Sequence, residues 1–316
     1  MIPFFKERFA LVVLVLAVWT LEGHAEDKRK DVASGPGVSP RRSKRLVGGR
    51  LSAHVPWQAF VHLSEGQLNG GFGGGALITD RWVLTAGRNL FVNKDREDIP
   101  RPILHFPKIY LGIKDRSEAN ESNEHPVEEV LVHPLFQKLS HWDNDLALIK
   151  LQRPVLINEK VTPIPLPDKC QDLSNTTGKS GVITGWGLGA LLSPAPHLKH
   201  LVLPLVNQSE CKSVYDRDPE APNIDDSMIC TGASKFEENV CFGDAGSALA
   251  VTDPDSGDVY AAGILSFDKS CRVKPFAVYT KLSAHLPWIQ KVTRGDTDQS
   301  INVRTAAMSK MISQQL

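Results

Sequence analysis

Residues 241–250 read Cys241-Phe242-Gly243-Asp244-Ala245-Gly246-Ser247-Ala248-Leu249-Ala250. Two glycines frame an acid and an alanine, and an apolar run follows. The stretch reads as a loop with Ala245 at its turn. Outward from this loop, short alternating or β-branched runs recur over 57–63, 76–84, 103–111, 127–132, 146–151, 181–186, 201–206 and 262–267. Turn-rich stretches such as Asp253-Pro254-Asp255-Ser256-Gly257-Asp258 separate them. Many short strands with Gly and Pro punctuation predict an all-β sandwich or barrels over 46–293, not alternating β and α units. Residues 283–292 place Leu286, Trp288, Ile289 and Val292 at helical spacing, which predicts one helix near the end.

The flanks read differently. Lys6 and Arg8 precede an apolar run over 9–19, and Gly23-His24-Ala25 follows, the order of a secretory signal over 1–25. The run is too short to span a bilayer, and no later stretch reaches spanning length. Residues 26–45 are charged and nearly free of large apolar side chains, as in a disordered pro-segment. They end in Arg41-Arg42-Ser43-Lys44-Arg45, a basic run open to a trypsin-like or dibasic-specific protease. A cut after Arg45 would free Leu46 as a new apolar N-terminus. Residues 294–316 form a polar tail.

Composition narrows the function classes. Lys plus Arg and Asp plus Glu each number 36, so the formal net charge is zero. That balance argues against a general nucleic-acid binder. Asn120-Glu121-Ser122, Asn175-Thr176-Thr177 and Asn207-Gln208-Ser209 are candidate glycan sites in a secreted chain. Five cysteines (Cys170, Cys211, Cys230, Cys241 and Cys271) imply two internal bridges and one thiol left free or bonded to another chain. No Cys-x-x-Cys pair is present, so neither a metal site nor a cofactor is expected.

Several signatures then fall in one order: Leu46-Val47-Gly48-Gly49, Val55-Pro56-Trp57-Gln58-Ala59, Gly74-Gly75-Ala76-Leu77-Ile78 and Trp82-Val83-Leu84-Thr85-Ala86. Asn144-Asp145-Leu146-Ala147-Leu148, Thr184-Gly185-Trp186-Gly187, Gly243-Asp244-Ala245-Gly246, Gly263-Ile264-Leu265-Ser266 and Val278-Tyr279-Thr280-Lys281 follow. The ordered set resembles the chymotrypsin/trypsin family of serine peptidases over 46–293. That resemblance implies two six-stranded antiparallel barrels, a cleft between them and a C-terminal helix. Such enzymes need a hydroxyl nucleophile, an imidazole base and a carboxylate that orients it. Here the matching positions hold Ala245, Arg88 and Asp145. A methyl group is no nucleophile, and a guanidinium stays protonated at neutral pH, so the triad is degenerate and no catalysis is expected. A salt bridge between Arg88 and Asp145 is expected in its place. Ser247 and Ser266 do not replace the nucleophile, and His54, His62, His133 and His141 read as surface or packing residues.

The resemblance carries further expectations. Asn239 stands at the base of the specificity pocket, while Asp268 and Ala277 replace glycines that line it, so substrate entry is obstructed. Asp244 is the counter-ion of the amino group released at Leu46. Cys211–Cys230 and Cys241–Cys271 match two bridges of the family. Two other bridges are missing as whole pairs, at Gly73 with Asn89 and at Gly181 with Val251. The wording of Gly243 to Ala248, of Gly263 to Cys271, of Ser234-Lys235-Phe236 and of Leu84-Thr85-Ala86 before Asn89-Leu90-Phe91 resembles a plasma branch of the family that binds haemoglobin with a dead triad. It implies a secreted, non-enzymatic protein that limits haem-driven oxidation, with haemoglobin as partner and a clearance receptor as a further one. The branch's tethering cysteine is here Pro165, and no complement-control module fits before Arg45. The odd thiol, Cys170, joins two protomers or stays capped or buried. The alternatives are an inactive protease-like module for another extracellular partner (complement, clotting or receptor) and an enzyme with relocated catalytic residues.

Overall fold

The computed structural model describes residues 49–63, 71–90, 107–140, 142–168, 178–188, 193–219, 221–236, 238–268 and 275–294, together with positions 171, 173 and 176. The expectations for the signal, the pro-segment, Arg45, Leu46, His141, Cys170, Asn175, Cys271 and the tail beyond 294 fall outside these residues.

The first sheet runs in the order β6 (Glu124–His125), β5 (Lys108–Leu111), β2 (Gln58–His62), β3 (Phe72–Leu77), β4 (Trp82–Thr85), β8 (Ala147–Leu151), β7 (Val127–Val132). Its two edges, β6 and β7, are consecutive in sequence and separated only by Pro126. Proline has no N–H to give a ladder, so one strand path is divided there and pairs β5 on one side and β8 on the other. Counted that way, six strand paths make the barrel.

The second sheet runs β1 (Arg50–Leu51), β10 (Lys199–Val206), β11 (Met228–Thr231), β14 (Ala277–Lys281), β13 (Val259–Phe267), β12 (Ala248–Thr252), β9 (Ser180–Gly185). β9 pairs back onto β10 over six residue pairs, which closes six strands and leaves β1 as an outer addition. Both sheets are antiparallel throughout, as short connections between sequential strands demand. Among the described residues two α-helices accompany them: α1 (Gln208–Tyr215) and α2 (Leu282–Thr293). This is the all-β, chymotrypsin-like double barrel with a C-terminal helix that the sequence led us to expect.

The apolar pattern explains the placement. All nine residues of β13 are buried, because one face lines its barrel and the other lies under neighbouring elements, including α2. In α2, Leu282, His285 and Ile289 recur on one face and are buried. The run expected over 76–84 is in fact two strands. Thr79 Oγ1 accepts the N–H groups of Arg81 and Trp82 at 3.1 Å each, and Ile78 N donates to Trp82 O at 2.9 Å, so the chain reverses between β3 and β4.

Cys211 and Cys230 are bonded, tying α1 to β11. Cys241 is also disulfide-bonded, and its expected partner Cys271 lies outside the described residues. The two missing bridges have left neighbours in place. A Cβ on Gly73 would sit 2.9 Å from Asn89 Cγ, and a Cβ on Gly181 would meet Leu249 Cδ1 at 2.6 Å. The space of one bridge holds an amide, and that of the other a leucine.

Candidate functional site

Four segments converge where the barrels meet. The 3-10 turn Gly87–Leu90 after β4 brings Arg88, and the turn before β8 brings Asp145. The loop before β12 brings Ala245, and β13 brings Ser266. The two glycines of the loop at Ala245 do what the sequence implied: Gly243 has φ +97° and Gly246 φ +93°. A side chain on Gly243 would also run into the Phe72 ring at 2.7 Å. Gly246 N donates to Leu265 O at 2.8 Å and Leu265 N to Ser247 O at 2.9 Å, which fixes the loop against β13.

Asp145 is fully buried. Its Oδ1 accepts the backbone N–H of Arg88 at 2.8 Å, and its Oδ2 accepts Ser266 Oγ–H at 2.7 Å. Thr280 Oγ1 donates to its backbone carbonyl at 3.0 Å. Burial pushes its carboxyl above the usual range, against the nearby Arg88 charge and these hydrogen bonds, while Asp268 adds to the rise. Asn144 next to it holds φ +48°, and its Oδ1 faces His285 Nε2 of α2 at 3.1 Å.

The expected salt bridge between Arg88 and Asp145 does not form. Arg88 meets Asp145 with its main chain, and its guanidinium goes elsewhere. Nη1 donates to the Ser266 carbonyl at 2.6 Å, and the group lies over the Trp142 ring, 4.2 Å from its centroid. Trp142 in turn meets Phe267 edge-on at 4.9 Å, and Tyr215 meets Phe267 from its other neighbours at 5.7 Å. A long guanidinium gains more here than a shared carboxylate offers. Its flat face rests on an aromatic ring and Nη1 meets a buried strand carbonyl, while Asp145 already has two donors. Trp142, three residues before Asp145, was not singled out from sequence; its signal is an aromatic ring close to a buried arginine.

Ala245 is 2% exposed, and its methyl can neither attack nor donate. Its carbonyl accepts Asn89 Nδ2 at 2.7 Å and Gly74 N at 2.9 Å. Asn89, which fills the space of the missing bridge, therefore ties the loop to the other barrel. Ser247 points away into the interior: it faces Gly74, accepts Gln58 Nε2 at 3.2 Å, and Gln58 Oε1 accepts Thr184 Oγ1 at 2.6 Å. This polar thread joins the two barrels and holds Ser247 fully buried.

The remaining expected residues lie around this centre. Asn239 is buried, with Nδ2 donating to Pro275 O at 3.2 Å. Asp268 and Ala277 are fully buried. The Ser266 carbonyl is taken by the Arg88 guanidinium, which lies over the Trp142 ring. Asp244 Oδ1 accepts Gly187 N at 2.8 Å, and its Oδ2 accepts Cys241 N at 3.0 Å. Burial raises its carboxyl to about 6 despite these donors. A cavity of about 30 Å³ lies beside it, with Gly49, Ile183, Gly187 and Val240 in its wall. Asn120 and Asn207 are exposed; Asn120 Oδ1 accepts both the N–H and the Oγ–H of Ser122, and Asn207 Oδ1 accepts Thr176 Oγ1 at 2.7 Å. His133 packs against His285 and Trp288 at 5.3 and 4.8 Å, and burial lowers it to about 4. No group of metal-binding side chains occurs among the described residues, and no described helix is long and apolar enough to cross a membrane.

Comparison with known proteins agrees with this architecture. The family model described as Trypsin matches residues 47–289. Haptoglobin of Pongo abelii is 36% identical over 262 residues, covering 78% of this chain and 70% of its own. Haptoglobin of Sus scrofa is 37% identical over 264 residues, with the same coverage. Haptoglobin of Canis lupus familiaris is 36% identical over 267 residues, covering 80% of this chain and 75% of its own. With the paired barrels and these matches together, the chain belongs to the trypsin family, as a serine protease homologue of the haptoglobin group.

Proposed function

We propose that this chain is a secreted, catalytically silent protein that captures free haemoglobin and so limits haem-driven oxidation. The observation that carries the silent half is the Arg88 guanidinium on the Ser266 carbonyl, beside an alanine where a nucleophile is needed. Losing either the nucleophile or the base alone costs on the order of a million-fold in a related triad; Ala245 and Arg88 stand at both positions. The haemoglobin half rests on the likeness to haptoglobins. Binding of this kind needs no haem ligand, only a surface with buried anchors and a polar rim.

In this reading residues 1–25 direct secretion and a cut after Arg45 delivers the Leu46 amino group to Asp244. Supporting it, Asp244 is buried beside a small cavity with Gly49 in its wall, and Gly49 is three residues from Leu46. Asn120, Asn175 and Asn207 carry glycans, and Cys170 is available to a second chain. The test is calorimetry of the secreted protein with native haemoglobin, alongside a fluorophosphonate probe. Saturable submicromolar binding without labelling is expected. Labelling would overturn the silent cleft, and absence of binding would assign the fold to another extracellular partner.

A further inference from the structure

The second barrel sets a cation beside Asp244 within its own sheet. β9 and β10 pair antiparallel with Gly185 opposite Lys199. Residues directly opposite each other across such a ladder put their side chains on one face, with Cβ atoms about 5 Å apart. Gly185 shows what that face looks onto. A Cβ there would stand 2.1 Å from Asp244 Oδ1 and 3.0 Å from its Cγ, so only glycine fits between the strand and the carboxylate. The Lys199 Cβ therefore starts within about 8 Å of that carboxylate, a span that the four-carbon stem of a lysine and one hydrogen bond close. Lys199 is half-buried, and it shares the wall of the small cavity with Asp244 itself.

The carboxylate needs such a neighbour. Its oxygens accept the N–H groups of Gly187 and Cys241, which carry no net charge. Asp268, just past β13, opposes its ionisation, and Tyr279 on β14 faces it with a phenol that burial keeps protonated. Lys199 on β10 is the cation that favours its ionised form. A carboxylate buried without a cation is costly. A loop meant to be set only by cleavage would leave Asp244 in that condition until the cut.

We propose that Lys199 is an internal counter-ion of Asp244, so that the loop carrying Ala245 keeps its form whether or not the chain is cut after Arg45. The inference rests on the maturation reading above for the place it gives Leu46, and deepens it. Lys199 and the Leu46 ammonium are alternative cations for one carboxylate, and the cut is no on-switch for the loop.

The test compares Lys199→Gln with its parent in the full secreted chain, uncut (Arg45→Gln) and cut after Arg45, by thermal melts at pH 4 and pH 7.5. Glutamine keeps much of the stem and removes the charge. In the uncut chain at pH 7.5, Lys199→Gln should melt about 2–4 °C below its parent. At pH 4, where Asp244 is protonated, the two should melt together. With Asp244→Asn they should melt together at both pH values, and Lys199→Arg should match the parent throughout. In the cut chain the drop at pH 7.5 should shrink to less than half. No drop in the uncut chain overturns the proposal. So does a drop that is equal at the two pH values or that survives Asp244→Asn, because Lys199 then acts through its stem or on another group. If Asp244→Asn does not fold, the comparison of pH 4 with pH 7.5 decides. If the drop is confined to pH 7.5 but is the same in cut and uncut chains, Lys199 is the counter-ion and Leu46 is not, so the maturation reading falls while this one stands.

Discussion

Asp244 offers a test of maturation that needs no partner. In the uncut chain its carboxyl is buried, held by the N–H groups of Gly187 and Cys241, and raised from 3.8 to about 6. A carboxyl raised by that much on folding makes its ionisation about 3 kcal/mol harder in the folded chain than in the unfolded one. The associated stability is complete below pH 3.8 and is lost as the pH rises through about 6. An uncut chain, made with Arg45→Gln, should therefore lose about 3 kcal/mol from this group between pH 4 and 7, or roughly 6–12 °C in melting temperature for a domain of this size. In the proposed maturation, a cut after Arg45 should place the Leu46 ammonium beside the carboxylate, lower its pKa and shrink that loss. Thermal melts across pH 4–7.5 of uncut chain, cut chain and uncut Asp244→Asn isolate the contribution. Asn keeps one of the two acceptors, so its baseline falls, but its slope should lack the Asp244 part. If Asp244→Asn and its parent show the same pH slope, Asp244 is not held as described. If cutting leaves the slope unchanged, the Leu46 pairing is wrong.

Other outcomes follow from the same geometry. Replacing Cys211 and Cys230 by serine opens a loop of 19 residues, which should cost about 3 kcal/mol in denaturant unfolding. Gly73→Cys with Asn89→Cys should form a new bridge, seen as no gain in free thiols, because Asn89 Cγ already lies 2.9 Å from where a Cβ at 73 would stand. Arg88→Ala should lower stability by about 1–3 kcal/mol in the same assay, since it strips the Ser266 carbonyl of a charged donor and Trp142 of its cation; the backbone bond to Asp145 remains. His133 sits at about 4 in the fold against 6.5 outside it, so stability it contributes above pH 6.5 is lost as the pH falls toward 4, and His133→Gln should lessen acid sensitivity of Trp288 fluorescence.

Much of the fold was legible because it depends on short-range chemistry. Gly243 and Gly246 announce their turn, the alternating runs announce strands, and 283–292 marks α2 to within one residue at each end. β11, β12 and α1 were not read from periodicity. β11 and β12 are short and wholly or nearly buried, so they show no alternation, and α1 exposes most of its polar surface and buries only Cys211 and Tyr215. At the site, the positions of Arg88, Asp145 and Ala245 could be carried over from the family pattern. The contact between Arg88 and Asp145 could not: pattern places a Cα, and a guanidinium reaches several ångströms beyond it to whichever acceptor and ring stand free. Trp142 decides that choice, and its side chain becomes a neighbour of Phe267 only when two barrels close on each other.

Inhibitors that trap serine proteases do so by offering a substrate-like backbone, which must reach the strand carbonyl that here belongs to Ser266. Arg88 already holds that oxygen under the cover of Trp142. Such an inhibitor meets no docking strand and no nucleophile to bond. On the function proposed above, such a cleft would share a fluid with abundant protease traps without being consumed by them, and the protein's lifetime would then be set by its partner.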